Sequence, residues 1–231
     1  MDRELQSERL SPQFYSADPI SVARQLLGKL LVRRLGDRRI SGVIVEVEAY
    51  LAQGDSASHS HRGKTARNAA MFMPAGTLYV YSIHTRHCLN VVVEPEGTGA
   101  AVLIRALEPW EGIDWMRHHR GHQEPLSSGP GRLSQALAID LTANKADLNR
   151  SEEVWIESSP PLVVQRTWVT TASPRIGIST AQGLLYRYFV DGHACVSGLV
   201  RLHQQPRPRW RWLDSPTLRQ SRGRSDGVDH R

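Results

Sequence analysis

The segment from Ile40 to Tyr50, ISGVIVEVEAY, constrains the fold of this chain more than any other stretch. It is rich in β-branched residues, and its second half alternates apolar and polar residues as a strand does. Side chains in an extended strand point to opposite faces in turn. Glu46, Glu48 and Tyr50 therefore fall on one side, and Val45, Val47 and Ala49 on the other. The apolar side belongs to a core, and the other side is acidic and aromatic. A half-buried strand with a wet face carries acids with no function attached, and a catalytic site carries them with one. The spacing by itself leaves both readings open.

Around that strand the chain shows adjacent β runs with helices interspersed. The pattern DPISVARQLLGKLLV predicts a short helix from Pro19 that stops at Gly28 and runs into a strand at Leu30 to Arg34. Gly36-Asp37 marks a turn, so this strand and the Ile40–Tyr50 strand form a hairpin. After the polar loop LAQGDSASHSHRGKTARN, the turn Pro74-Ala75-Gly76 releases a second aromatic strand, TLYVY. Its continuation HCLNVVV and the strand Ala100 to Leu107 are joined by the turn at Glu94 to Gly97. PWEGIDWMRHHR reads as a helix begun at Pro109, and GPGRLSQALAI as a glycine-proline loop feeding a helix. Later strands are expected at Val154 to Glu157 and Leu185 to Val190. There is no internal repeat and no regular βαβ alternation. The expected fold class is therefore α+β, with a mixed, largely antiparallel sheet and helices packed on it. The chain divides into a lead-in over residues 1–12, one domain over 13–204 and a basic tail over 205–231.

A length of 231 residues suits one domain, and 40% hydrophobic residues support a packed interior. The first ten residues, MDRELQSERL, have no apolar core, and no apolar run approaches membrane-spanning length. A soluble, unsecreted, intracellular protein is expected. Cys88 and Cys195 lie outside any metal or redox spacing and read as reduced thiols. The net charge is +6, carried almost wholly by arginine, since only Lys29, Lys64 and Lys145 are lysines. Arginine forks match phosphate oxygens and stack on bases, which suits nucleic acid, although codon bias produces the same skew. The segment from Arg207 to Arg231 holds much of the excess with Trp210 and Trp212. It reads equally as a solvated appendage and as a phosphate contact.

Candidate chemistry clusters in and after the first strand. His59, His61 and Arg62 invite a metal reading, but His84 and His87 stand in no ligand spacing and a zinc site needs three or four ligands, so no metal is assigned. Tyr79 and Tyr81 share one face of their strand. If that strand pairs with the one bearing Glu48 and Tyr50, rings and a carboxylate converge on one pocket, although core packing of the rings is an equal reading. Flat rings, polar groups and one acid beside an arginine-rich surface are what an extruded base requires.

The segments VEVEAYL, ASHSHRG, TARNAAMFMPAGTLYVY, CLNVV, VLIRALEPWEG, SGPGRLSQALAI and SPRIGI, in that order from about Phe14 to Val200, closely resemble the alkyladenine (3-methyladenine) DNA glycosylase family. The resemblance implies a single-domain α+β fold with a curved, largely antiparallel sheet, similar also to the C-terminal domain of formyltransferases. It implies a monofunctional enzyme that acts as a monomer on double-stranded DNA containing damaged purines. No metal, organic cofactor or membrane is involved, and the enzyme works at the DNA, in cytoplasm or nucleoid if bacterial. By position, Glu48 takes the role of the general base that activates the attacking water. Arg105 takes that of the arginine orienting water and carboxylate, and Ile176 that of a main-chain carbonyl holding the water. Tyr50 and Tyr81 match the rings that sandwich the flipped base, His59 matches a hydrogen-bonding partner of that base, and Asn90 matches the asparagine that crowds the amino group of normal guanine. Gly129, Pro130 and Arg132 fall where the family approaches the DNA backbone.

Alkylation at a ring nitrogen makes the purine a good leaving group, and a nearby carboxylate stabilises the oxocarbenium-like sugar and takes a proton from water. Electron-rich rings favour a cationic base. Glu46 matches no catalytic position. One segment departs from the family. After YVY this chain reads SIHTRHCLN, with His84 where a tyrosine wedges into the duplex, Thr85 where glycine is expected and one residue fewer before Asn90. This predicts an intact catalytic step with altered capture of the flipped base. Two other readings are a lesion-binding protein that does not cut, which has no use for Glu48 with Arg105, and a bifunctional lyase, which needs an amine nucleophile where the matched segments hold no lysine.

Overall fold

Two short helices, α1 (Pro12–Tyr15) and α2 (Pro19–Leu26), lead into the sheet in this computed structural model, which describes residues 8–198 and 208–212. Residues 1–7 of the lead-in, 199–207, and 213–231 of the basic tail lie outside the described residues. α2 starts where its sequence signals: the Ser21 amide donates to Asp18 Oδ1 at 2.9 Å, and Pro19 occupies the first turn. Val22, Ala23 and Leu26 are its buried face. Gly28, at φ +84°, then turns the chain into β1 (Leu30–Leu35).

β1 forms a hairpin with β2 (Arg38–Tyr50), which carries Glu46 and Glu48. β3 (Leu78–Ile83), β4 (Arg86–Val93) and β5 (Ala100–Glu111) form a meander, followed by α3 (Ile113–His119) and α4 (Pro130–Ala136). β6 (Val154–Glu157), α5 (Pro161–Val164), β7 (Val169–Ser173), β8 (Arg187–Val190) and β9 (Arg209–Arg211) complete the described elements. The sheet order is β3-β4-β5-β2-β8-β7-β9, with β1 also on β2 and β6 on β1, and every described pair is antiparallel. The fold is thus α+β with one large antiparallel sheet and few helices.

Several expectations change. The helix placed at Pro109 begins at Ile113 instead, because β2 is long enough to pair Gly42 with Pro109 and Ser41 with Glu111 before Gly112, at φ +66°, ends the strand. β2 and β3 do not pair: β5 and β4 lie between them. The strand expected from Leu185, β8, begins at Arg187. The strict alternation of β2 also fails at one point. In the pairing with β5 the partners run Ile44↔Leu107, Glu46↔Ala106, Val47↔Ile104, which leaves Val45 and Arg105 without opposite residues. Val47 and Ala49 enter the main core with Ile44, whereas Val45 packs with Ala106 and Val190 in a separate cluster.

On β3 and β4 the alternation holds. Leu78, Val80, Leu89, Val91 and Val93 join the main core, while Tyr79 packs with Ala70, Met71 and Val92 on the opposite face. Both ends of the described chain reach the sheet. Arg9 bridges to Glu157 of β6, and β9, from the segment read as a basic tail, pairs with β7. Trp212 is 3% exposed, and its Nε1 donates to the Leu27 carbonyl at 3.0 Å. A Cβ on Gly28 would stand 2.2 Å from the Trp212 ring, so glycine there serves both its left-handed backbone and this contact. Trp212→Ala is expected to destabilise the fold by about 3–5 kcal/mol in urea unfolding. An unchanged midpoint would mean that residues 208–212 add nothing to the folded domain.

Candidate active site

The two carboxylates of β2 are both fully buried, and different partners hold them. Glu46 Oε1 accepts from Arg105 Nε at 3.1 Å and from Arg187 Nε at 2.6 Å, and its Oε2 accepts from the Ser197 amide at 2.6 Å. Arg187, fully buried, also donates to Ser173 Oγ and to the Ser197 carbonyl, both at 3.0 Å. Glu46 is a strut between strands. Glu48 Oε1 accepts from the Ile176 amide at 2.8 Å, its Oε2 accepts from the Tyr50 hydroxyl at 2.9 Å, and Arg105 Nη1 stands 3.2 Å from that same Oε2.

Arg105 therefore touches both acids through different nitrogens. Burial by itself lowers an arginine pKa, but the charges of Glu48 and Glu46 outweigh it and hold Arg105 above its ordinary value. For Arg187 burial prevails over the pull of Glu46, and the pKa falls. Burial, then the charge of Glu48, raises the Tyr50 pKa well above its ordinary value, so the hydroxyl stays protonated and donates to the carboxylate.

Tyr50 and Ile176, which donate to Glu48, and Arg105, its ion-pair partner, all line an open cleft of about 620 Å³, with His59, Tyr81 and Pro130. A narrow recess shares Tyr50, His59 and Tyr81 with that cleft and adds Tyr79 and Asn90. His59 Nδ1 lies 3.0 Å from the Tyr79 hydroxyl, and its ring meets that of Tyr81 edge-on with centroids 4.5 Å apart. Burial, then the charge of Arg67, keeps the His59 pKa below its ordinary value, so the ring is neutral at pH 7. Burial pushes the Tyr79 pKa up to about 12. The polar loop carrying His59 is pinned by Asn68, whose Nδ2 donates to the carbonyls of His59 at 2.8 Å and Gly63 at 3.0 Å.

Beneath Tyr50 lies a second buried pair. Arg175 and Asp55 exchange two bonds of 2.6 Å, Arg175 Nη1 also donates to the Ala49 carbonyl, and the guanidinium carbon sits 4.5 Å from the Tyr50 ring centroid. Burial pushes the Asp55 pKa up, but Arg175 and the amides of Leu51 and Ala57 prevail and hold it below the usual carboxylate range.

The sequence model of the family described as methylpurine-DNA glycosylase (MPG) matches residues 13–194 of this chain. A protein of Rhodopirellula baltica, provisionally named a 3-methyladenine DNA glycosylase, is 50% identical over 208 residues, covering 87% of this chain and 88% of its own. One of Methanoculleus marisnigri with the same provisional name is 47% identical over 192 residues, 81% of this chain and 98% of its own. The mouse DNA-3-methyladenine glycosylase is 43% identical over 216 residues, 86% of this chain and 64% of its own. The chain belongs to the methylpurine-DNA glycosylase family. It is accordingly a DNA glycosylase.

Within this DNA glycosylase the residues singled out in the sequence fall into two groups. Glu48, Tyr50, His59, Tyr81, Asn90, Arg105 and Ile176 come together around the cleft and its recess. In the β3–β4 hairpin Tyr79 faces Asn90 and Tyr81 faces Cys88, with His84 and Thr85 closing the turn. Asn90 Nδ2 donates to the Tyr79 carbonyl at 3.1 Å. His84, at φ +53°, stands exposed at the tip, in a backbone conformation that favours glycine or asparagine.

The second group flanks the cleft. Gly129, at φ +112°, precedes α4, Pro130 lines the cleft, and the exposed Arg132 donates to the Ser128 carbonyl. Among the described residues no cluster of His, Cys, Asp or Glu could hold a metal ion. Sequence reasoning passed over Asp55, Arg175, Arg187 and Ser197. Arg175 stood inside SPRIGI, next to Ile176, but nothing local sets Arg187 or Ser197 apart.

Asp55→Asn leaves Arg175 buried without a counter-charge, and is expected to cost about 3–5 kcal/mol at pH 7. Because the folded pKa of Asp55 is depressed, its contribution is present above the ordinary Asp pKa of about 3.9 and is lost as pH falls through the lower folded value. Acid titration of stability should therefore fall less steeply in the variant. Identical acid limbs for both proteins would rule out this linkage.

Proposed function

We propose that this protein hydrolyses the N-glycosidic bond of alkylated purines, 3-methyladenine and 7-methylguanine among them, in double-stranded DNA. It takes the damaged nucleotide out of the stack and activates water with Glu48. The observation that carries this reading is how Glu48 is held. A carboxylate offers about four acceptor sites. The Ile176 amide and the Tyr50 hydroxyl fill two, and Arg105 stands 3.2 Å from Oε2. All three residues line the cleft, which leaves acceptor capacity for a water on that side. In that position the carboxylate takes the water proton as the oxygen attacks the anomeric carbon. Its charge also stabilises the oxocarbenium-like sugar as the base departs. Arg105 and the Ile176 carbonyl orient the water.

Tyr50 and Tyr81 hold the flipped base between them, His59 hydrogen-bonds it and Asn90 crowds the amino group of a normal guanine. His84 at the hairpin tip takes the wedge position in the duplex, with Gly129, Pro130 and Arg132 near the backbone. Water as the nucleophile makes the enzyme monofunctional. In keeping with this, none of the three lysines lines the cleft, and the Lys29 amine lies near Ser159 Oγ, at 3.5 Å. The protein works at the DNA as a monomer and needs no metal or organic cofactor for these steps.

Single-turnover release of 3-methyladenine or 7-methylguanine from alkylated duplex DNA, with chelator present, tests the reading. Glu48→Gln should slow release by about 10²–10⁴-fold with folding intact. Release at the wild-type rate would remove Glu48 from the chemistry, and no release by wild type would refute the reading. A tyrosine fills more of the gap left by a flipped nucleotide than a histidine does. His84→Tyr is therefore expected to raise duplex affinity and excision, and no gain would count against a wedge at this position.

A further inference from the structure

A second open cleft, of about 570 Å³, lies on the other side of the β3–β4 hairpin. Ile83 and Pro130 line the first cleft, while Thr85, Arg86 and Gly131 line the second, so one hairpin and one helix end wall both. Gln135 of α4 lies in the second cleft, and its Oε1 accepts from Arg86 Nη1 at 2.9 Å and from Arg120 Nη1 at 2.6 Å. Gln135 Nε2 donates to the His119 carbonyl, which fixes the amide oxygen toward the two guanidiniums. Two cations thus share one neutral acceptor. Arg120 is 4% exposed with its Nε unpartnered in the protein, and burial followed by the charges of Arg86 and Arg132 holds its pKa below the ordinary value.

Among the described residues none of Arg86, Arg120 and Arg132 forms an ion pair. Asp140 is the one carboxylate among the described residues that lines the cleft, and its Oδ1 accepts from the amide and hydroxyl of Thr142. Arg86 is also seated rather than free in solvent. A Cβ on Gly131 would lie 2.9, 3.0 and 3.2 Å from the Cβ, Cγ and Cδ of Arg86, so the glycine makes room for its stem along α4. Gly131 has no left-handed backbone to explain it, and glycine inside a helix is costly relative to alanine.

We propose that this second cleft seats a phosphodiester of the DNA backbone, with Arg86 as its principal contact and Arg120 and Arg132 adding to the field, beside the nucleotide held in the first cleft. The proposal rests on the glycosylase reading for its choice of ligand. A cluster of guanidiniums with no ion-pair partner among the described residues, partly preorganised by Gln135, matches a phosphate that brings negative charge. A backbone contact of this kind reads no sequence and no lesion. It fixes the register of the duplex against the hairpin.

The test is duplex affinity against salt for wild type, Arg86→Gln and Gly131→Ala, on undamaged and alkylated DNA. Loss of one phosphate contact lowers the slope of log affinity against log salt by about 1. Both variants are expected to show that loss, equally on the two DNAs. Gly131→Ala keeps the arginine and favours the helix, so it separates loss of the seat from loss of fold. A slope unchanged in Arg86→Gln would overturn the proposal. Release of methylated base by wild type, measured in parallel, decides the glycosylase reading on its own, and the slope decides the cleft whichever way that falls.

Discussion

The site depends on a row of four buried charges, Arg187, Glu46, Arg105 and Glu48, laid across strands β8, β2 and β5. Two arginines and two carboxylates are neutral overall, which is what lets them sit at 0–7% exposure in the interior. The row makes the position of the catalytic candidate rigid. Glu46 accepts from Nε of both arginines, so the remaining nitrogens of Arg105 are left to Glu48 and Ser197 Oγ. Glu46 thus acts on the site only through the arginine it holds.

Two of the unpaired residues in the β2–β5 ladder are the backbone counterpart of that row. Val45 and Arg105 each lack an opposite residue, one in each strand, and between them Glu46 faces Ala106. Such bulges re-aim side chains at a site, here with Arg105 close to both acids. A similar division of labour runs through Tyr50. Its hydroxyl donates to Glu48 while its ring lies on Arg175, itself neutralised by Asp55. The ring that stacks a base in our reading is therefore fixed at its edge by the carboxylate and on a face by a cation. A cation against one face draws on the same electron density that would favour a cationic base, so Arg175 tempers that preference.

Much of the fold could be read from periodicity. The β1–β2 hairpin, the β4–β5 connection, β6, α2 and α4 form close to where turn residues and apolar spacing put them, because each depends on neighbours in sequence. The turn at His84-Thr85 that splits the expected continuous strand into β3 and β4 carries no glycine or proline to mark it. β7 and β9 were not legible. Val169 to Ser173 is short and polar, and Arg209 to Arg211 is charged; they are strands because β8 and β7 offer them edges to pair with. The helix placed at Pro109 starts later for the same reason, since a long partner strand overrides the local helix signal of proline.

The sequence by itself determined that Glu48 and Tyr50 share a face of β2 and Tyr79 and Tyr81 a face of β3, because strand geometry makes facing a local property. His59, Asn90 and Arg105 were marked by the resemblance to the family alone. Only the tertiary structure decided which of two acids on one strand is sealed between arginines and which is backed by the walls of a cleft. Their local contexts are nearly the same, and the difference comes from Arg187, Ser197, Ile176 and Arg105, 59 to 151 residues away in sequence. A carboxylate's role follows from the donors that reach it, and those are set by packing between distant strands rather than by its neighbours along the chain.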